Sequence, residues 1–319
     1  TDLKAFEKVY ASFLLIGVIF FFSALVSQAT SWNFYTYILE RHGFRAMADF
    51  RYGILRVSVT TIPIIVGFIA TLALLAVEYY RAKRICGFLP AMMYRGMFLA
   101  TALFTYSRGA WLAMAAGGVT YFFFTKAPRA LRPVGVALVL LIGFPVGASY
   151  VMQTDLNRID EFGSFEYRRE LLKAAWVQVQ QKPLFGDPYY LQSGNFDHLY
   201  QGQGIIDVVN YYLQITLEHG LVGLALYLTA FASVIIGLLR LGAATRRPEN
   251  RDLELQRGVI LGAFASYMAM IATVSGVSLV PVFGVVLLAI GAAVLAAARK
   301  AQVAPPAAKE TGLAGATPS

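Results

Sequence analysis

A single cysteine, Cys86, excludes an internal disulfide framework, and three scattered histidines form no Cys/His cluster at metal-ligand spacing. No structural zinc site is expected. Charge is scarce too: 14% of residues are charged against 58% hydrophobic, more apolar side chains than one soluble core can bury. The chain is therefore read as lipid-embedded. A net charge of +9 would raise nucleic acid as a partner in a soluble protein, but here the basic residues fall mostly in short connections between apolar runs. That pattern is topological. No cleavable signal peptide is visible, and the chain opens without a methionine on TDLKAFEKVY, so upstream segments are expected to be missing.

Apolar runs of about 20 residues, enough to cross a hydrocarbon layer roughly 30 Å thick, occur near 9–29, 57–79, 86–105, 109–125, 133–152, 211–239, 258–276 and 279–298. Eight crossings are expected. All should be helices, because lipid offers no partner for backbone N–H and C=O groups. The expected fold is an all-α polytopic membrane protein with one large periplasmic loop containing an amphipathic helix. It divides into crossings one to five (1–152), the loop (153–206), crossings six to eight (207–300) and a disordered cytoplasmic tail (301–319).

Lysine and arginine collect at 81–84, 126–132 and 240–257, which with eight crossings share one side with both termini. The positive-inside rule makes that side cytoplasmic and predicts a multi-pass protein of the bacterial inner membrane. The outer segment 153–206 carries five basic and seven acidic residues and far exceeds an ordinary connection, which points to function. Within it, FEYRRELLKAAWVQVQQKP reads as an amphipathic helix. Ser164 is placed to cap it, Glu166 suits its first turn, and Pro183 and Gly186 stop it. Tyr167, Leu171, Ala175 and Val179 recur at i+4, a stripe expected to pack on the membrane domain.

Arginines on the outer side carry the chemical signal. Arg108, in TYSRGAWLAM, sits in a short outer connection against the charge bias, and the helix that follows offers anion-favouring N–H groups. Snorkelling to lipid phosphate is the ordinary alternative. Arg168 and Arg169 lie in the loop helix, where pairing with Glu166 and Glu170 is the ordinary alternative, and Arg51 and Arg56 precede a crossing they could simply anchor. Together these groups can converge on one anion near the outer leaflet, and guanidinium forks match phosphate oxygens bidentately. The expected ligand is a phosphate-bearing lipid. The segment QGQGIIDVVNYYLQITLEHG then places Asp207, Asn210 and Gln214 at i+3 and i+4 steps, one helix face entering the membrane from outside. His198 and His219 read as local hydrogen-bonding residues before metal ligands.

The segments SRGAWLA at 107–113, YRRELLKAAWVQVQQKPLFGD at 167–187 and DVVNYYLQITLEHGLVGL at 207–224, with FRYGILR at 50–56 a weaker match, resemble the O-antigen ligase, O-antigen polymerase and exopolysaccharide polymerase superfamily. The resemblance covers most of the chain from about residue 50 to 275 and suggests the C-terminal portion of such a protein. It implies a metal-independent, cofactor-free membrane glycosyltransferase. Such an enzyme moves a glycan from an undecaprenyl (polyprenyl) diphosphate carrier to an acceptor hydroxyl, on a glycan or the lipid A core, with membrane lipid around it and polysaccharide-assembly proteins as possible partners. By motif, the family's functional arginines fall on Arg108 and Arg168, with Arg169 the neighbouring alternative. One position departs: where the family commonly has a histidine before the asparagine, this chain has Val209. Asp207 is then the first choice for the base, with His198 or His219 next; Asn210, Gln214, Arg51 and Arg56 complete the expected substrate-binding set. The rival readings are a transporter or flippase of lipid-linked glycan and an inactive assembly partner of a polymerase.

Overall fold

The computed structural model describes residues 4–30, 50–51, 54–55, 63–82, 90–131, 134, 164–200, 206–244, 251–276 and 279–303. Within these, the chain is an all-α membrane protein of eight helices with one two-residue antiparallel pairing, β1 (Phe50–Arg51) against β2 (Ile54–Leu55). The helices are α1 (Lys4–Thr30), α2 (Pro63–Ala82), α3 (Ala91–Phe104), α4 (Arg108–Thr125), α5 (Ser164–Gln181), α6 (Tyr211–Ala244), α7 (Arg251–Ile271) and α8 (Val280–Val303). Four of them hold stretches long and apolar enough to cross a membrane, namely Phe6–Thr30, Pro63–Ala82, Tyr211–Leu241 and Val280–Arg299. The crossing expected at 133–152, the tail beyond 303 and the start of the loop at 153–163 lie outside the described residues.

Two expected crossings come out differently. The run at 86–105 yields α3 of only 14 residues, about 21 Å of helix at 1.5 Å per residue, which is short of a hydrocarbon layer. Pro90 opens it from an extended conformation and a turn at Thr105–Ser107 closes it. The run at 258–276 becomes α7 from Arg251 to Ile271. Helix continues backward through RDLELQR because Leu253, Leu255 and the Arg257 stem are buried against neighbours.

α2 is the centre of the bundle. From Ile64 to Tyr79 most of its side chains are buried, since α1, α3, α4 and α7 all pack on it. α4 and α7 run antiparallel in the closest helix pairing of the molecule. Gly109 faces Thr273 at one end, Gly117 faces Gly262 midway and Thr125 faces Gly258 at the other, so small residues let the two backbones meet. The apolar stripe of α5 meets the membrane domain at the first turns of α6 and not at the α2-centred bundle. Leu171, Ala174 and Ala175, flanked by Tyr167 and Val179, join Tyr190, Phe196, Leu199, Val208 and Leu217 in a separate small core. The loop covers its own apolar face and shares it with the first turns of α6.

The three basic connections meet at one end of the bundle, where Arg81, Lys126 and Arg251 line a common cavity. Arg108 stands at the opposite end of α4.

Candidate functional site

Arg108 is positioned by a strained turn. Tyr106 adopts φ 46°, a left-handed conformation that costs a bulky residue roughly 1–2 kcal/mol. The surrounding bonds hold it there. Thr105 Oγ1 donates to the Ala102 carbonyl at 2.6 Å and accepts from Ser107 N–H at 3.3 Å, and Trp111 Nε1–H donates to the same carbonyl at 3.0 Å. α4 therefore starts with Arg108 exposed, at an N-terminus whose Ser107 cap makes no side-chain cap hydrogen bond. Gly109, buried, lets that first turn sit against Thr273 and Ile64.

The two loop arginines have different surroundings. Arg169 is exposed and ion-paired with Glu166 and, at 3.5 Å, with Glu170; Glu170 in turn takes Lys173 Nζ at 2.7 Å. Those contacts account for Arg169 as a solvated face. Arg168, one residue earlier and so about 100° around the helix, points inward. Burial holds its guanidinium below the ordinary arginine pKa; the Asp207 carboxylate opposes that shift and the Arg108 cation adds to it. Arg168 thus feels the charges of both Asp207 and Arg108, although the three residues come from segments separated by 39 or more residues.

Asp207 is fixed by its backbone. The Tyr167 hydroxyl donates to the Asp207 carbonyl at 2.9 Å and accepts the Asp207 N–H at 2.9 Å. Its carboxylate oxygen Oδ1 is buried and takes no hydrogen bond among the described residues. Tyr190, buried against Phe196, closes the same corner. Burial pushes its phenol pKa upward, and the charges of Glu218 and Asp207 add to that. Tyr167, Tyr190 and Glu218 are site neighbours that the sequence reading did not select.

Asp207 and Asn210 do not share a helix face with Gln214, because α6 begins only at Tyr211. Asn210 is its cap: Oδ1 accepts Leu213 N–H at 3.1 Å. Gln214 donates to Glu218 Oε1 at 2.8 Å and accepts the Gly276 N–H at 2.7 Å, tying α6 to the chain after α7. Both side chains therefore have structural work of their own. His198 is exposed in the short turn Asp197–Leu199, and His219 is exposed with Glu218 at 3.8 Å. Arg51 is described only by its backbone, paired with Ile54, and Arg56 lies outside the described residues.

The loop is also locked into α6 itself. α6 breaks at Gly220, φ 68° and ψ −170°, which frees backbone groups on both sides of the break. Segment 183–187 takes them up: Asp187 N–H donates to the Leu217 carbonyl at 2.7 Å, Leu221 N–H to Pro183 at 2.8 Å and Val222 N–H to Leu184 at 3.1 Å. Gly186, φ 65°, faces the break, and a Cβ on it would fall 2.5 Å from Gly220 N; one on Gly220 would fall 2.2 Å from the Leu184 carbonyl oxygen.

The family model described as O-antigen ligase matches residues 93–228, a span that opens in α3, takes in Arg108, Arg168 and Asp207, and ends just past the lock at Gly220. Residues 93–228 are thus similar to the O-antigen ligase family. The O-antigen ligase match supports glycan transfer of the ligase or polymerase kind within a helical membrane protein. Comparison with curated proteins found no match. Among the described residues, no three His, Cys, Asp or Glu side chains gather as a metal-binding group.

Proposed function

We propose that the chain transfers a glycan from a polyprenyl (undecaprenyl) diphosphate carrier to an acceptor sugar hydroxyl at the periplasmic face of the inner membrane. The acceptor is a growing O-antigen or exopolysaccharide, or the lipid A core. The observation that supports this reading is that the Arg168 guanidinium feels the charges of both Asp207, whose Oδ1 is buried, and Arg108, which opens α4 at its end away from the basic connections. In the reaction, the acceptor oxygen forms a bond to the anomeric carbon while the bond from that carbon to the diphosphate oxygen breaks. The diphosphate leaves with the electron pair. Arg108 and Arg168 absorb its developing charge, and the hydroxyl proton goes to the Asp207 carboxylate.

Physical reasons support each assignment. A guanidinium already stripped of water gains more from an anion than a solvated one, because that desolvation cost is met before the substrate arrives. Arg168 is partly desolvated in this way and Arg169 is exposed. Asp207 Oδ1, buried and accepting no hydrogen bond among the described residues, suits a hydroxyl donor. Charge stabilisation is assigned to guanidinium groups, and transfer is expected to persist in EDTA. Incubation of the purified protein with carrier-linked glycan and acceptor tests the proposal. Wild-type turnover by the Arg108→Ala, Arg168→Ala double variant would overturn it.

A further inference from the structure

At the end of the bundle opposite Arg108, α2 and α4 finish and α7 begins at one level, around a cavity of about 360 Å³ lined by Glu78, Arg81, Tyr121, Lys126, Arg251 and Glu254. Charges there do not balance. Glu78 takes Lys126 Nζ at 2.7 Å and Arg95 Nε at 2.6 Å, with Arg81 at 3.7 Å, and Glu254 lies 3.7 Å from the buried Arg257. Among the residues that line the cavity, three cations, Arg81, Lys126 and Arg251, therefore face two carboxylates, Glu78 and Glu254. Asp252, in the first turn of α7, is not among the lining residues. Arg251, exposed, has no ionic partner among the described residues.

We infer that this cavity is a binding site for a phosphate group, which we assign to the headgroup of an anionic glycerophospholipid. Depth points to that source. α4 carries 18 residues from Arg108 to Thr125, so Arg108 and the cavity stand about 26 Å apart along its axis, close to the roughly 30 Å of a hydrocarbon layer. A cation cluster at such a level faces headgroup phosphates. Close in the chain to Lys126, Phe122, 49% exposed, and Leu131, 45% exposed, present apolar surface. Arg81 and Arg251 supply the guanidinium forks suited to phosphate oxygens, while Lys126 and Arg95 hold Glu78 neutralised so that its carboxylate does not repel the ligand. The site is independent of the Arg108–Arg168 pair and does not rest on the transfer reaction.

The test is native mass spectrometry of the purified full chain with phosphatidylglycerol, with diacylglycerol of the same acyl chains, and with inorganic phosphate as competitor. Phosphatidylglycerol should be retained and diacylglycerol lost. Arg81→Gln with Arg251→Gln, both at exposed positions, should lower retention roughly ten-fold. Arg251→Gln alone should give a smaller loss at unchanged melting temperature, and Arg108→Ala none. Displacement by inorganic phosphate would support the phosphate site with free phosphate as its occupant, and failure to displace would support the lipid. Equal retention in the double variant, or equal retention of diacylglycerol, would overturn the inference.

Discussion

Tyr167 grips Asp207 by both polar groups of its backbone, donating to its carbonyl and accepting from its N–H, each at 2.9 Å. One side chain from the loop helix thereby sets the position of a residue 40 places further on. Tyr167→Phe removes both bonds and leaves a buried N–H and C=O to find water. We expect about 1–3 kcal/mol lost from thermal unfolding. Transfer should fall about ten-fold or more through kcat, because a displaced carboxylate misses the hydroxyl while donor binding continues. Equal rates in Tyr167→Phe and wild type at saturating donor would show that Asp207 needs no such positioning.

The arginines should separate sharply in activity. Arg108→Ala and Arg168→Ala are each expected to lower kcat by roughly 100- to 1000-fold, the scale for loss of one preorganised charge-stabilising group. Arg169→Ala should stay within a few-fold, because Glu166 and Glu170 already engage that side chain in solvent. Rates of glycan transfer measured with carrier-linked donor decide the matter.

Gly220→Ala tests the lock between loop and helix. A methyl group there would fall 2.2 Å from the Leu184 carbonyl oxygen, at a φ of 68° that alanine disfavours. Strain and at least one broken backbone hydrogen bond together should cost about 3 kcal/mol or more. The expected result is a lower melting temperature and protease cleavage near 183–187, whereas Gly118→Ala, within α4 where an added Cβ meets nothing within 4 Å, should change neither.

Acid should loosen the same lock. Lys182 Nζ at 2.7 Å, then the Tyr189 N–H at 3.0 Å, hold the Asp187 carboxyl below its ordinary value of 3.8. A depressed pKa contributes stability that is fully present above 3.8 and is lost as pH falls through the folded value. Melting temperature in detergent should therefore begin to drop only as pH falls below about 4 and keep dropping through the folded value. Asp187→Asn should make that stretch of the curve flatter, and an unchanged slope would remove Asp187 from the account.

The apolar runs made α1, α2, α6 and α8 legible, because lipid and buried helix both demand unbroken hydrophobic length. Arg108 was legible as a charge standing against a topological bias. The motif resemblance put Arg168 ahead of Arg169, but periodicity alone could not, since neighbours on a helix differ only in direction, and direction is set by what α5 packs against. The small core around Leu171 and Phe196, which turns Arg168 inward, involves residues spread from 167 to 217. The shared face of Asp207, Asn210 and Gln214 failed for a local reason. Asn210 is a strong helix cap, and once it caps, everything before it leaves the helix. The break at Gly220 was hidden because apolar residues continue on both sides, and its hydrogen bonds come from a segment more than 30 residues earlier.

Because Pro183, Leu184 and Asp187 supply backbone partners to a membrane helix, the segment 164–200 is not a detachable module. Swapping residues 164–200 alone between related enzymes would strand Leu217, Leu221 and Val222 without their matching strand, so productive chimaeras must exchange the stretch through Val222 as one block.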